Sequence, residues 1–125
     1  MKIEYQYWLH GIKYAIKTHL FRQKIPFIAG LVLNNDCNLA CLHCHLKDVD
    51  KSSLSYHDSL LAIDRLYKLG IRSVAITGGE PFMWHDGAIN VNHLIKAMYA
   101  RGILVTSIYT NGTFPINTLA DNVFV

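Results

Sequence analysis

The order of apolar and polar residues along the chain predicts a helix followed by a strand. Between Tyr5 and Leu20, apolar residues recur at helical spacing, with lysines and a histidine largely on the other faces. A basic stretch that ends in Pro26 closes this segment. The run from Phe27 to Leu33 is continuously apolar, which is typical of a strand buried on both faces.

The same alternation continues through two further units. Ser55 and Asp58 form a plausible capping box at the start of an apolar-periodic helix that ends at Gly70. A second strand is predicted over Ser73–Thr77, and a second helix of this kind ends before Gly102.

The last part of the chain predicts three more elements. These are a third strand from Ile103 to Tyr109, a short helix from Ile116 to Ala120, and the beginning of a fourth strand over residues 122–125. Strands that alternate with helices favour right-handed βαβ units and a parallel sheet.

We therefore expect an α/β fold, an incomplete TIM-like (β/α) barrel with parallel strands, preceded by an N-terminal amphipathic helix. The expected organisation is a helical extension over residues 1–24 and the N-terminal portion of the barrel over residues 25–125. Because the series stops inside a strand, we expect the chain to be a truncated fragment.

Composition and charge exclude several classes of protein. The chain has 125 residues, of which 51% are apolar and 17% charged, so a disordered or multi-domain protein is not expected. Residues 1–24 contain five basic residues and one acidic residue, a balance of +4, whereas the remaining seven basic and eight acidic residues give −1. This distribution does not indicate a nucleic-acid-binding face.

The positive N-terminal helix has three interpretations. The first is packing of its apolar face on the rest of the domain, and the others are partner binding and weak contact of residues 5–20 with a membrane surface. The longest apolar window, Ile25 to Leu33, is too short to span a membrane, and no secretory signal is recognisable. We therefore expect a cytoplasmic protein.

All three cysteines, Cys37, Cys41 and Cys44, lie within eight positions directly after the first strand. An odd number of clustered cysteines is a poor disulfide framework but a good set of metal ligands. Thiolates select iron–sulfur clusters, zinc or copper(I). Three protein ligands on a cubane cluster would leave one iron open, which is typical of a reactive metal site.

Two other interpretations of these residues remain open from the spacing alone. Residues 41–45 match the C-x-x-C-H pattern of c-type haem attachment, although that pattern leaves Cys37 without a role. A structural zinc site could use the three cysteines together with His43 or His45.

Two more polar motifs follow strands. Gly78-Gly79-Glu80-Pro81 comes after the second strand, and Thr110-Asn111-Gly112 comes after the third. Because the carboxyl ends of parallel strands meet at one edge, these loops should lie beside the cysteines. Trp84, His85 and Asp86, just beyond the glycines, are candidates for contact with a substrate.

Together, the Cys37-x-x-x-Cys41-x-x-Cys44 motif, the Gly-Gly-Glu-Pro motif and the Thr-Asn-Gly motif, each after a predicted strand, resemble the radical S-adenosylmethionine (radical SAM) superfamily. The resemblance implies that the three cysteines hold a 4Fe-4S cluster whose open iron binds the amino and carboxylate groups of S-adenosylmethionine. It also implies cofactor contacts at His43 (adenine), at Gly78, Gly79 and Glu80 (methionyl amino group), and at Thr110 and Asn111 (ribose).

The resemblance further implies an enzyme with no catalytic residues beyond the cluster ligands. An external one-electron donor, such as a flavodoxin or a ferredoxin, would reduce the cluster. S-adenosylmethionine would then be cleaved to methionine and a 5′-deoxyadenosyl radical that abstracts hydrogen from an unidentified substrate. The alternatives are a non-catalytic zinc or iron–sulfur module, and a truncated inactive chain that acts by binding a partner.

Overall fold

The computed structural model describes residues 2–46, 48–115 and 123–124, which form an α/β fold. The chain begins with helix α1 and a π-helical turn, and strands and helices then alternate. In chain order the elements are α1 (Lys2–Ala15), the π-helical turn (Ile16–Leu20), β1 (Ile28–Asn34), α2 (Tyr56–Lys68), β2 (Ser73–Gly78), a 3₁₀ turn (Pro81–Met83), β3 (His85–Asp86), β4 (Ile89–Asn90), α3 (Val91–Ala100), β5 (Val105–Ile108) and β6 (Val123–Phe124).

Four of the strands form one parallel sheet in the order β1-β2-β5-β6. Ile28 pairs with Ser73, and Ser73 pairs with Val105, so the first three strands start level with one another. Within this sheet the strands follow their order in the chain, with α2 between β1 and β2 and α3 between β2 and β5; β3 and β4 form a separate antiparallel pair. This is the order of a (β/α) barrel, and the sheet is a partial barrel that does not close, as the sequence predicts.

The hydrophobic core lies on the face of the sheet that α2 and α3 cover. Buried residues of β1, β2 and β5 on that face pack against buried residues of both helices. The core residues are Leu31, Leu33, Ile63, Val74, Ile76, Trp84, Val91, Leu94, Ile95, Met98, Ile103 and Ile108.

Strand β1 differs from its prediction because only one of its faces is covered. Leu31 and Leu33 are buried, whereas the alternate residues Ile28, Gly30 and Val32 are exposed. β1 is an edge strand, and no described part of the chain packs on its second face. The apolar run therefore predicts the strand correctly, but the expectation that both faces are buried is wrong for this part of the chain.

The helix ends follow the local sequence signals. Ser55 is the N-cap of α2, and its hydroxyl accepts a hydrogen bond from the backbone N–H of Asp58 at 3.0 Å. Gly70 and Gly102 follow α2 and α3 with φ of +93° and +88°, a conformation that favours glycine. The start of α3 uses a capping box that the sequence analysis does not identify, formed by Asn90 and His93.

Helix α1 and the π-helical turn that follows it place their described apolar side chains in solvent rather than against the sheet. Trp8 is 72% exposed, and Ile12 and Leu20 are 54% and 74% exposed. The helix is fixed by Tyr14, whose hydroxyl donates to the carbonyl oxygen of Ile25 at 2.8 Å and whose ring packs edge-on against Phe27. The expected packing of the apolar face on the domain is therefore wrong for the residues that the structure describes.

The C-terminal predictions are met in part. β5 is shorter than predicted, and the fourth strand is confirmed over Val123–Phe124 as β6. The predicted helix from Ile116 to Ala120 lies outside the described residues. Within the described residues, no helix combines the length and the hydrophobicity that crossing a membrane requires.

Candidate functional site

Three loops meet at the carboxyl edge of the parallel sheet. The loop over residues 35–55 follows β1 and carries the cysteines, the Gly-Gly-Glu-Pro loop follows β2, and the Thr-Asn-Gly loop follows β5. Because the three strands run parallel, their ends bring the loops to one side. The convergence that the sequence predicts is therefore present in the backbone.

The first two loops pack against each other through backbone groups. The N–H groups of Gly79 and Glu80 donate to the carbonyl oxygens of Asn34 and Asp36, each at 2.8 Å. A Cβ atom at Gly78 would overlap the Asn34 carbonyl oxygen, and one at Gly79 would overlap that of Asp36. Glycine is thus required at both positions because two backbones approach closely.

We expect Gly79→Ala to destabilise this junction. The added methyl group meets backbone atoms of Asp36, so the two loops must separate, and we expect a loss of about 1–3 kcal/mol in the free energy of unfolding. Urea unfolding followed by circular dichroism measures this loss. Gly30→Ala is the matched control, because a Cβ there would meet open space and its φ, like that of Gly79, is not positive. Equal losses in the two variants would contradict the steric argument.

Glu80 joins the second and third loops through its buried side chain. The residue is fully buried, and its carboxylate accepts hydrogen bonds from the Phe82 N–H, the Thr110 hydroxyl and the Asn111 N–H at 2.8–3.0 Å. Both carboxylate oxygens therefore already have protein donors. Contact of Glu80 with a methionyl amino group stays a prediction.

The third loop also contacts the cysteine loop. The Asn111 side-chain amide lies 3.6 Å from the Cys37 sulfur and donates to the Asn38 side-chain oxygen at 2.8 Å. The Asn38 amide in turn donates to the Thr113 hydroxyl at 2.8 Å. Asn38 and Thr113 are polar loop residues without a distinguishing motif, so the sequence analysis does not single them out.

Asn34, the last residue of β1, contacts the Gly-Gly-Glu-Pro loop. It is buried, and its side-chain amide donates to the Glu80 carbonyl oxygen at 3.2 Å. Its side-chain oxygen has no hydrogen-bond partner among the described residues. No sequence signal separates Asn34 from an ordinary polar residue that ends a strand.

Both ends of the cysteine loop are fastened. The Asn35 side chain bonds to the Asp50 carbonyl oxygen and the Ser52 N–H, and Lys51 forms an ion pair with Asp36. The Lys51 hydrogen bond and charge lower the pKa of the Asp36 carboxyl, against a smaller opposing effect of desolvation. These contacts close the loop around the cysteines.

The three cysteines are free thiols on this closed loop. Cys37 and Cys44 are half-buried, and Cys41 is exposed, as are His43 and His45. Among the described residues, no three histidine, cysteine, aspartate or glutamate side chains lie close enough together to hold a metal ion. Three thiols within one loop nevertheless fit a soft metal centre, which would have to draw them together on binding.

The residues after the second loop have structural roles. Trp84 is 1% exposed in the core, and its indole N–H donates to the Leu54 carbonyl oxygen at 2.9 Å. Asp86 accepts a hydrogen bond from the Tyr56 N–H at the start of α2. Trp84 therefore does not face a substrate, contrary to expectation, whereas His85 is exposed on β3.

Comparison with known protein families agrees with this geometry. The model of the radical SAM superfamily matches residues 31–123, a segment that includes all three loops. The chain belongs to the radical SAM superfamily. This radical SAM chain therefore carries its three motifs at the strand ends where the family resemblance places them.

The radical SAM chain is similar in sequence to several curated proteins that are named GTP 3′,8-cyclases. It is 35% identical over 92 residues to a probable GTP 3′,8-cyclase of Sulfurisphaera tokodaii, a match that covers 72% of this chain and 28% of the relative. It is 34% identical over 90 residues to the GTP 3′,8-cyclase of Lactiplantibacillus plantarum, with 67% and 26% covered. The chain thus spans about a quarter of the length of these relatives.

Proposed function

We propose that this chain binds a 4Fe-4S cluster and S-adenosylmethionine and forms the cofactor-binding part of a radical SAM enzyme. The observation that carries the proposal is the hydrogen-bonded junction of the three loops. Glu80 links the second loop to the third, and Asn111 links the third loop to Cys37 and Asn38. These contacts would hold the three loops in position around a cofactor bound next to the thiols.

In this proposal Cys37, Cys41 and Cys44 hold the cluster as thiolates. The bound pair of cofactors supplies one-electron reductive cleavage of the sulfonium and a carbon-centred radical for hydrogen abstraction. The Asn111 amide, 3.6 Å from the Cys37 sulfur, would donate to that thiolate. Hydrogen bonds to cluster sulfurs affect the reduction potential of the cluster, so the Asn111 amide would influence this potential.

The second loop would recognise the methionyl amino group. An ammonium group needs oxygen acceptors, and the Glu80 carboxylate already accepts from Thr110, Asn111 and Phe82. We therefore assign this contact to the carbonyl oxygens of Gly78 and Gly79, with Glu80 holding the loop in position. His43 near adenine and Thr110 and Asn111 near ribose complete the proposed pocket.

The substrate is proposed from the names of the relatives and the electron donor from the family, and neither rests on a contact in this chain. The relatives are named as GTP 3′,8-cyclases, which makes GTP the first substrate to test. However, the matched segment contains the cofactor motifs, and residues that bind cofactor do not select a substrate. A flavodoxin or a ferredoxin would supply the electron.

The decisive test is anaerobic reconstitution of the chain with iron and sulfide. After dithionite reduction, electron paramagnetic resonance is recorded with and without S-adenosylmethionine. We expect a reduced-cluster signal that changes when S-adenosylmethionine is added, because the fourth iron is open. Methylthioadenosine, which lacks the amino and carboxylate groups that would bind the iron, serves as the ligand control and should leave the signal unchanged.

Two results would contradict the proposal. A cluster whose signal ignores S-adenosylmethionine would show an iron–sulfur module without the proposed pocket. Stoichiometric zinc in place of iron would identify the cysteine loop as a structural zinc site.

A further inference from the structure

A cavity of about 250 Å³ lies at the opposite edge of the sheet from the three loops. It is lined by His10, Lys13, Tyr14 and Lys17 of the N-terminal helical segment and by Gly70 and Arg72, which precede β2. We call it the basic cavity. Because β2 runs from Ser73 to Gly78, the basic cavity is at the start of this strand and the Gly-Gly-Glu-Pro loop is at its end.

The basic cavity concentrates positive charge without compensation. Lys13, Lys17 and Arg72 line it together with His10, and none of the described residues that line it carries a carboxylate. The ion pairs found in the described part of the chain, Lys51 with Asp36 and Arg101 with Asp64, involve none of these residues. The cations therefore face one another across an open space.

The behaviour of His10 reflects this concentration of charge. Partial burial, followed by the charges of Arg72, Lys17 and Lys13, lowers the pKa of the His10 imidazole. All three cations thus act on one ring, although Lys13 and Lys17 lie in the N-terminal helical segment and Arg72 lies just before β2. Such mutual repulsion would be relieved by an anion in the cavity.

Arg72 is held in place without being neutralised. Its Nη1 atom donates to the carbonyl oxygens of Tyr67 and Ile71 at 2.8 and 2.9 Å, and its guanidinium lies 3.5 Å from the centre of the Tyr67 ring. On the other side, the hydrogen bond from Tyr14 to Ile25 fixes the helix. The arginine and the helix are therefore positioned before any ligand binds.

We propose that the basic cavity binds a phosphate group, either of a small phosphorylated molecule or of a lipid headgroup. A guanidinium fork beside two ammonium groups matches the several acceptor oxygens and the multiple negative charge of a phosphate or diphosphate. The site is separate from the proposed cofactor pocket.

Isothermal titration of the cluster-free chain with inorganic phosphate and with pyrophosphate, at constant ionic strength, tests this proposal. We expect Lys13→Ala/Lys17→Ala to weaken pyrophosphate binding about tenfold or more, because two charge-assisted contacts are lost. Arg65→Ala/Lys96→Ala removes two charges from exposed positions on α2 and α3 and should change the dissociation constant less than about twofold. Thermal unfolding verifies that each variant is folded.

A second measurement uses the His10 ring as a reporter in nuclear magnetic resonance. Pyrophosphate should raise the pKa of His10, because an anion stabilises the imidazolium, and Lys13→Ala/Lys17→Ala should raise it even without ligand. Arg65→Ala/Lys96→Ala should leave the pKa of His10 unchanged without ligand, and pyrophosphate should still raise it in this variant. These measurements need no iron, so their outcome is independent of the proposed radical SAM activity.

Vesicle sedimentation distinguishes the two sources of the phosphate group. Binding of pyrophosphate without binding to vesicles that contain phosphatidic acid identifies a soluble ligand. Sedimentation with those vesicles that is lost in Lys13→Ala/Lys17→Ala but kept in the control variant identifies a headgroup. The proposal is overturned if the chain neither binds pyrophosphate nor sediments with the vesicles. It is also overturned if Lys13→Ala/Lys17→Ala and Arg65→Ala/Lys96→Ala weaken binding equally.

Discussion

Alanine at any one of Cys37, Cys41 and Cys44 is expected to abolish cluster assembly. A cubane cluster with an open iron has only three protein ligands, so the loss of one leaves two. The chain has three cysteines in total, and no other thiol can replace the one removed. We expect iron and sulfide per chain to fall about tenfold or more after anaerobic reconstitution, together with the visible absorption of the cluster.

The matched controls are His43→Ala and His45→Ala, which change the same exposed loop without removing a thiolate. Both variants should assemble the cluster in normal amounts, and His43→Ala should weaken S-adenosylmethionine binding if the ring lies near the adenine. A structural zinc site with three sulfurs and one nitrogen would behave differently. Loss of metal in either histidine variant, with zinc rather than iron in the parent chain, would contradict the cluster assignment.

Much of the fold follows from local signals in the sequence. The alternation of strands with helices predicts a parallel sheet, and β1, β2, β5 and β6 have this arrangement in chain order, whereas β3 and β4 form a separate antiparallel pair. Ser55 and Gly70 mark the ends of α2 because their side chain and backbone conformation act within a few residues. Signals of this range can be identified in a sequence without knowledge of tertiary contacts.

Predictions that depend on what covers a surface are less secure. The apolar run of β1 is correctly predicted as a strand, yet Ile28 and Val32 are exposed on the face of the sheet opposite the core. Likewise, the helical period of α1 identifies the helix but not the direction of its apolar face. Burial is a property of tertiary packing, and the period of a single segment does not specify its partner.

The same difference between local sequence signals and tertiary contacts applies to the candidate site. The order of the three motifs is sufficient to predict that their loops converge, because parallel strands end at a common edge. The order of the motifs does not predict the partners of individual side chains. For example, the contact between Asn38 and Thr113 spans 75 positions of the sequence. Trp84 comes shortly after the second motif but is buried in the core, where its indole N–H donates to the Leu54 carbonyl oxygen.

Replacing Glu80 by alanine is expected to destabilise the chain by about 3 kcal/mol or more, because the partly buried donors of Phe82, Thr110 and Asn111 lose their charged acceptor. The buried carboxylate is the direct connection between the second and third loops. Denaturant unfolding followed by circular dichroism measures the loss. Asp48→Ala, which removes an exposed carboxylate, should cost less than about 0.5 kcal/mol.

A double-mutant cycle separates the hydrogen bonds from the loss of volume. Thr110→Val removes the hydroxyl that contacts both Glu80 oxygens, and we expect it to cost about 1 kcal/mol alone. In the Glu80→Ala background the same substitution should cost less, because the hydroxyl is already without its acceptor. Additive effects would show that Thr110 and Glu80 do not interact and that the two loops are joined by other contacts. If the coupling is present, Glu80 positions the pocket through Thr110, and Glu80→Gln should assemble the cluster while responding less to S-adenosylmethionine.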